Sequence, residues 1–111
     1  MLNFDNGFID FNNRMTDALN RNDDEYAELC QAFNECKCLI NDISKYLEDM
    51  KLYLDKYDSS NFIYEIENQC IYKKKVLEDK KMIEYCLKEL SDYGFKVSGE
   101  PEYDERIKRF L

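Results

Sequence analysis

The sequence predicts an all-α fold: a helical bundle built on a long antiparallel helical hairpin plus a shorter N-terminal helix. Three observations predict it. Apolar residues recur in alternating steps of three and four along most of the chain, which is the repeat of a helix face and not of a strand. Breakers are scarce, with three glycines and one proline in 111 residues. Charged residues make up 36% of the chain, yet the 14% aromatic content and the strict periodicity set it apart from a disordered polyelectrolyte. A chain of 111 residues is expected to form a single helical domain, 1–111, with a modest core.

The first helix is expected over about 3–20. Phe4, Phe8, Phe11, Met15 and Ala18 step four, three, four and three. Gly7 softens its first turn at a cost of about 1 kcal/mol relative to Ala. The next stretch, NRNDDEYAEL, reads as a break and a new start. Asn22 has the character of an N-cap, Glu25 stands at capping-box spacing, and Asp23 and Asp24 put negative charge where the macrodipole favours it. The competing pattern is one continuous helix with a stutter through positions 18, 22 and 26.

The second helix is expected over about 23–57. Tyr26, Leu29, Phe33, Cys36, Ile40, Ile43, Leu47, Met50, Leu54 and Tyr57 occupy ten consecutive a and d positions of a heptad. Ala32, Leu39, Tyr46 and Tyr53 make the g positions apolar too. An a/d/g face is wider than the seam of a two-stranded coiled coil and suits a helix with two neighbours. DSSN, residues 58–61, is a turn and cap cluster. The third helix is expected over about 61–93, with Phe62, Ile66, Cys70, Val76, Leu77, Ile83, Cys86, Leu87 and Leu90 inward and Gly94 as its terminator. Lys73 and Lys80 fall near that seam and must snorkel or meet acids. Two helices of near-equal length joined by a short turn form an antiparallel hairpin.

The tail, 94–111, holds the proline and two of the glycines. GFKV suits a short extended piece, and residues 102–111 suit an amphipathic turn or two with Ile107 and Phe110 inward. Helix one and the tail both meet the hairpin at its base. Both are therefore expected to stay there and leave the tip uncovered.

Several chemistries are excluded or disfavoured. The chain has no histidine, which removes His-based nucleophile activation and His-ligated metals. No glycine-rich phosphate loop is present. Carboxylates are plentiful but are not grouped in a way that predicts burial, so no enzyme activity and no cofactor is expected. Of the five cysteines, Cys36 and Cys38 resemble half a metal motif, but residues two apart on a helix point about 200° apart and cannot share one ion. The odd count, with Cys36 and Cys70 on apolar seams, predicts reduced thiols and no metal. Net charge is −8, which opposes direct binding to nucleic-acid phosphates. No stretch has the roughly 18 apolar residues of a membrane span, and MLNFDNGFIDFNN carries acids where a signal peptide needs basic residues and then an apolar run, so none is expected. A cytoplasmic protein without membrane contact is expected. The preference for Asn, Asp, Lys, Ile, Tyr and Phe follows AT-rich codons, as in an AT-rich bacterium, its phage or a large DNA virus.

Two surfaces are candidates for binding. The hairpin tip carries Tyr46, Leu52, Tyr53, Tyr57, Phe62 and Tyr64, and tyrosine is enriched at binding hot spots. The same rings could instead pack on one another or be covered in a homodimer. The second candidate is an acidic stripe: Glu28, Glu35, Asp42 and Asp49 recur every seven residues at c, flanked by Glu48 and Asp55 at b. Residues 22–58 hold ten acids and four lysines, a net of −6 out of −8. Such a row can occupy a groove built for phosphates, or it can be an ordinary solvated face. YKKKVLEDKK on the third helix is basic and is expected to pair with acids of a neighbouring helix.

Together these features point to a non-enzymatic protein-binding protein. Its sharper form is a small acidic phage-encoded inhibitor, of anti-CRISPR or other anti-defence type, that blocks a nucleic-acid-binding complex through its basic groove. The alternative is a structural or adaptor subunit of a homo- or hetero-oligomeric bundle. A redox or metal sensor would need Cys30 to meet Cys36 or Cys38.

Overall fold

Three long helices and one short 3-10 helix make up the regular structure of the described residues, 1–60, 63–101 and 105–110, in a computed structural model. Helix α1 is Asp5–Asn20, α2 is Glu25–Ser59, α3 is Ile66–Asp92, and the 3-10 helix is Glu105–Phe110. The all-α class and the α2–α3 hairpin with a shorter N-terminal helix are as the periodicity predicts.

Helices α1 and α2 are separate. Asn22 adopts φ 55°, the left-handed conformation, and closes α1 with a Schellman motif. The Asp23 N–H donates to the Ala18 carbonyl and the Asn22 N–H to the Leu19 carbonyl. The cap of α2 falls instead to Asp23, whose carboxylate accepts the Glu25 N–H at 3.1 Å. The expected Asn22–Glu25 capping box is therefore replaced, because Asn tolerates the left-handed region better than Asp or Glu does and takes the terminator position. At its far end α2 runs two residues beyond the expected 57. Ser59 and Ser60 bond back to the Asp55 and Lys56 carbonyls and satisfy part of the last turn. Helix α3 starts at Ile66, not 61. It ends as expected, with Gly94 at φ 74°. The Phe95 N–H reaches the Leu90 carbonyl and the Gly94 N–H the Ser91 carbonyl, a second Schellman motif.

The buried rows give the register. On α2, Leu29, Cys36, Ile43 and Met50 are buried at seven-residue intervals. On α3 the buried row is Gln69, Val76, Ile83 and Leu90, again seven apart, with Asp79 and Cys86 between. This corrects the first third of the expected α3 seam. Ile66 and Cys70 are exposed, and Gln69 and Tyr72 take the inward positions. Phe62 lies outside the described residues.

The chain divides into two compact units. One comprises Met1–Asn41 with Cys86–Glu102, the other Asp42–Tyr85 with Tyr103–Leu111. The first unit is organised around phenylalanine. Phe95 lies 5.2 Å from Phe8, 5.8 Å from Phe11 and 6.5 Å from Phe4, and Phe33 closes the cluster at 5.8 Å from Phe8. Tilted and edge-on pairs of this kind contribute about 0.5–1.5 kcal/mol each beyond their area burial. Asn3 and Ser98 form an antiparallel bridge, each donating its N–H to the other's carbonyl. The second unit buries Ile43, Met50, Leu54, Val76, Ile83 and Ile107. The 3-10 helix belongs to this unit, so the expectation that the tail stays at the hairpin base is overturned. The inward placement of Ile107 is as expected, and Phe110 is half-buried.

Gly7 has a role that its composition value hides. A Cβ there would overlap Cε1 of the Phe95 ring and stand 2.5 Å from its Cζ and 2.6 Å from the Lys96 carbonyl oxygen. Gly7→Ala should gain about 1 kcal/mol of helix propensity but lose more through overpacking. The expected outcome in urea unfolding is a net destabilisation of about 1–2 kcal/mol. A stabilised variant would contradict the packing of Phe95 on α1.

Candidate functional site

The carboxylates of α2 follow from its register. With d positions buried, the c row lies beside the buried face and not opposite it. In the first unit Glu28 is exposed, but Glu35 is half-buried and accepts the Tyr93 hydroxyl proton. In the second unit Glu48 is exposed, Asp42 is half-buried, and half-buried Asp49 lies within hydrogen-bond reach of Asp79 on α3. Asp55 is exposed and pairs with Arg106 at 2.7 Å. Glu35, Asp49 and Asp55 are thus engaged within the chain, whereas Glu28 and Glu48 face solvent.

The tip residues divide in the same way. Tyr53 stacks at 6.0 Å on Tyr72. Tyr57 takes the Phe110 ring edge-on at 4.9 Å and the Arg109 guanidinium at 4.9 Å. Tyr46 is half-buried. Leu52 and Tyr64 remain 50% and 83% exposed, and Ile63 beside Tyr64 is 77% exposed. These three are among the exposed apolar residues that the described part of the second unit presents, with Ile66 at 58% beside them in sequence. The 3-10 helix is held by ions as well as by rings. Arg106 bridges Asp55 and Asp58, and Arg109 also binds Asp58. Partial dehydration raises the Asp58 carboxyl, but hydrogen bonds from Arg109 and Arg106 outweigh it and hold the group below the usual carboxylate range.

Two polar side chains on the inner row of α3 escaped the sequence reading. Gln69 and Asp79 are 4% and 7% exposed. Gln69 Nε2 and Asp79 Oδ2 find no hydrogen-bond partner among the described residues. Asp79 stands three residues after Val76 and four before Ile83, so its heptad position was readable; its acidic side chain hid it. Burial, and after it the hydrogen bond and negative charge of Asp49, push Asp79 up to about 7, against a smaller opposing pull from Lys75. This is a carboxyl pair that holds a proton near neutrality, on a packed helix face.

All five cysteines are unbridged. Among the described residues no group of three or more His, Cys, Asp and Glu is placed to hold a metal ion. No described helix is long and apolar enough to cross a membrane. The basic segment of α3 pairs in part within its own helix. Lys80 pairs with Glu84 and Lys75 with Glu78, both on its own helix, and Lys73 lies 5.6 Å over the Phe110 ring. The chain matches no protein-family model, no curated protein and no solved structure.

The acid pair has a measurable consequence. Asp79 is raised in the folded state above its unfolded value near 3.9. Its stabilising contribution is therefore complete below about pH 4 and is lost as pH rises through 7. Asp79→Asn supplies the neutral form at every pH. Urea unfolding should show the variant more stable than the parent by about 1–2 kcal/mol at pH 8 and nearly equal to it at pH 4. An equal difference at both values would contradict the pairing.

Proposed function

We propose that this chain acts without catalysis, by binding another protein. The observation that carries the reading is the exposure of Leu52, Ile63 and Tyr64 on a chain with 36% charged residues. Large apolar side chains held in solvent on a highly charged chain are the mark of an interaction surface. The specific form we propose is an acidic inhibitor of the phage-encoded anti-defence kind, including anti-CRISPR, that occupies the basic groove of a nucleic-acid-binding complex in the cytoplasm. It is supported by the net charge of −8 and by the exposed run Asp23, Asp24, Glu25 and Glu28 at the start of α2. In this form carboxylates displace phosphates and speed encounter, and Tyr64 and Leu52 anchor the complex.

The rival reading is a subunit of a homo- or hetero-oligomeric bundle, because the same apolar residues serve equally as an assembly contact. One experiment separates the two. Tagged chain is used to capture proteins from its host's lysate, with and without competing nucleic acid. The inhibitor reading expects a nucleic-acid-binding complex that competitor displaces, and that Glu28→Lys with Glu48→Lys retains about tenfold less well. Retention of the chain's own copies alone, lost on Tyr64→Ser with Leu52→Ser, would replace it with the subunit reading.

A further inference from the structure

Helix α3 carries more apolar residues than its inner row can use. The row Gln69, Val76, Ile83 and Leu90 faces α2, yet Ile66, Cys70 and Leu77 form a second series on the other side of the helix. Ile66 is 58% exposed, Cys70 is exposed and Leu77 half-buried. Their spacing of four and seven keeps them in one line along the helix. A shallow groove of about 380 Å³ runs along the Cys70–Leu77 part of this line, with Ile66 one turn before it, and is lined by Cys70, Lys73, Lys74, Leu77, Glu78 and Lys81.

The rim of this groove is basic on a chain that is otherwise acidic. Residues 73–81 contain five lysines and two acids. One of those acids, Asp79, is turned inside, and the other, Glu78, already pairs with Lys75. Lys74 and Lys81 have no acidic partner among the described residues. An apolar floor with unpaired ammonium groups beside it has a definite complement: a helix whose apolar stripe seats on Ile66, Cys70 and Leu77 while carboxylates beside the stripe meet Lys74 and Lys81.

We infer that this outer face of α3 is a docking groove for an acidic amphipathic helix of another protein. Two other occupants fit less well. A second copy meeting the same face would be related by a two-fold axis, which sets the basic rim of Lys73, Lys74 and Lys81 against the same basic rim of the copy. A phosphate-bearing surface, whether an anionic membrane or a nucleic acid, would have to approach a chain of net charge −8 through lysines alone, since α3 contains no arginine. A single helix samples only the local positive strip. This surface is distinct in charge and position from the acidic residues of α2, so it stands whether or not the inhibitor reading does.

The probe is a fluorescein-labelled amphipathic peptide of about 18 residues, five helical turns, with leucines on one face and glutamates beside them. Its twin carries lysine in place of every glutamate. Both are titrated into the full chain by fluorescence anisotropy, and amide shifts of the isotope-labelled chain locate the contact. The glutamate peptide should bind saturably, perturb residues 66–81 and weaken as salt rises. Lys74→Glu with Lys81→Glu should weaken it by tenfold or more, about 1.4 kcal/mol or above, while Lys88→Glu leaves it unchanged. Lys74→Gln with Lys81→Gln, which preserves helix propensity, should weaken it in the same direction. Equal binding of the lysine twin overturns the proposal. So does binding that survives both double substitutions, or amide shifts that fall elsewhere. Two further results also overturn it: phosphatidylserine vesicles recruited through Lys74 and Lys81, or a dimer in sedimentation that those substitutions dissociate.

Discussion

The register of α3 against α2 is the constraint on which the rest depends. Once Gln69, Val76, Ile83 and Leu90 face inward, a rotation of about 100° per residue assigns every other position on the helix. Asp79 is carried into the packed face beside Asp49, Ile66 and Cys70 are carried out of it, and Leu77 is left half-buried at its edge. A slide by one residue would bury Cys70 and Leu77 and release Gln69. It would remove the acid pair altogether, and with it a buried carboxyl that costs stability above neutral pH. That the polar residues stay inside shows that Val76, Ile83 and Leu90 outweigh them: full burial of each such side chain contributes about 1.5–3 kcal/mol. A buried polar residue at such a position is also a means of fixing helix register, since other alignments strand it.

In the first unit the corresponding constraint is the close approach of Phe95 to Gly7. The Schellman turn at Gly94 reverses the chain and delivers Phe95 into the ring cluster of Phe4, Phe8, Phe11 and Phe33. The bridge between Asn3 and Ser98 and the ion pair of Lys96 with Asp10 then fasten the returning chain along α1. In the second unit the 3-10 helix has the matching task. Ile107 is fully buried, and Arg106 and Arg109 bind the carboxylates at the end of α2. Each unit thus holds its part of the C-terminal segment by one apolar anchor, with an ion pair beside it.

The long elements were legible because their signals repeat. Ten successive heptad positions on α2 leave no competing period, and Gly94 after Tyr93 is a strong stop. What was hidden depends on contacts distant in sequence. Gly7 reads as a weak point in a helix until Phe95, 88 residues later, is seen on it. The start of α3 misleads because Ile66 and Cys70 are apolar while Gln69 is not, so residue type pointed one way and the heptad set by Val76, Ile83 and Leu90 pointed the other. The acidic stripe is legible in the sequence as a periodic row. Its partners Tyr93, Asp79 and Arg106 lie on other elements, and no local pattern announces them.

The cysteines report the register of α3 directly. Cys70 is exposed on the outer row and Cys86 buried on the inner one. On α2, Cys38 is exposed while Cys36 is buried, and burial, then the Glu35 charge, pushes the Cys36 thiol up to about 11 against a smaller pull from Arg14. The decisive measurement is a timed alkylation of the native chain with iodoacetamide at pH 8, read cysteine by cysteine by mass spectrometry. Cys70 should react at the pace of Cys38, with Cys36 and Cys86 protected until denaturant is added. Protection of Cys70 together with Cys86 would place the outer row inside, and both the acid pair and the docking groove would be lost with it.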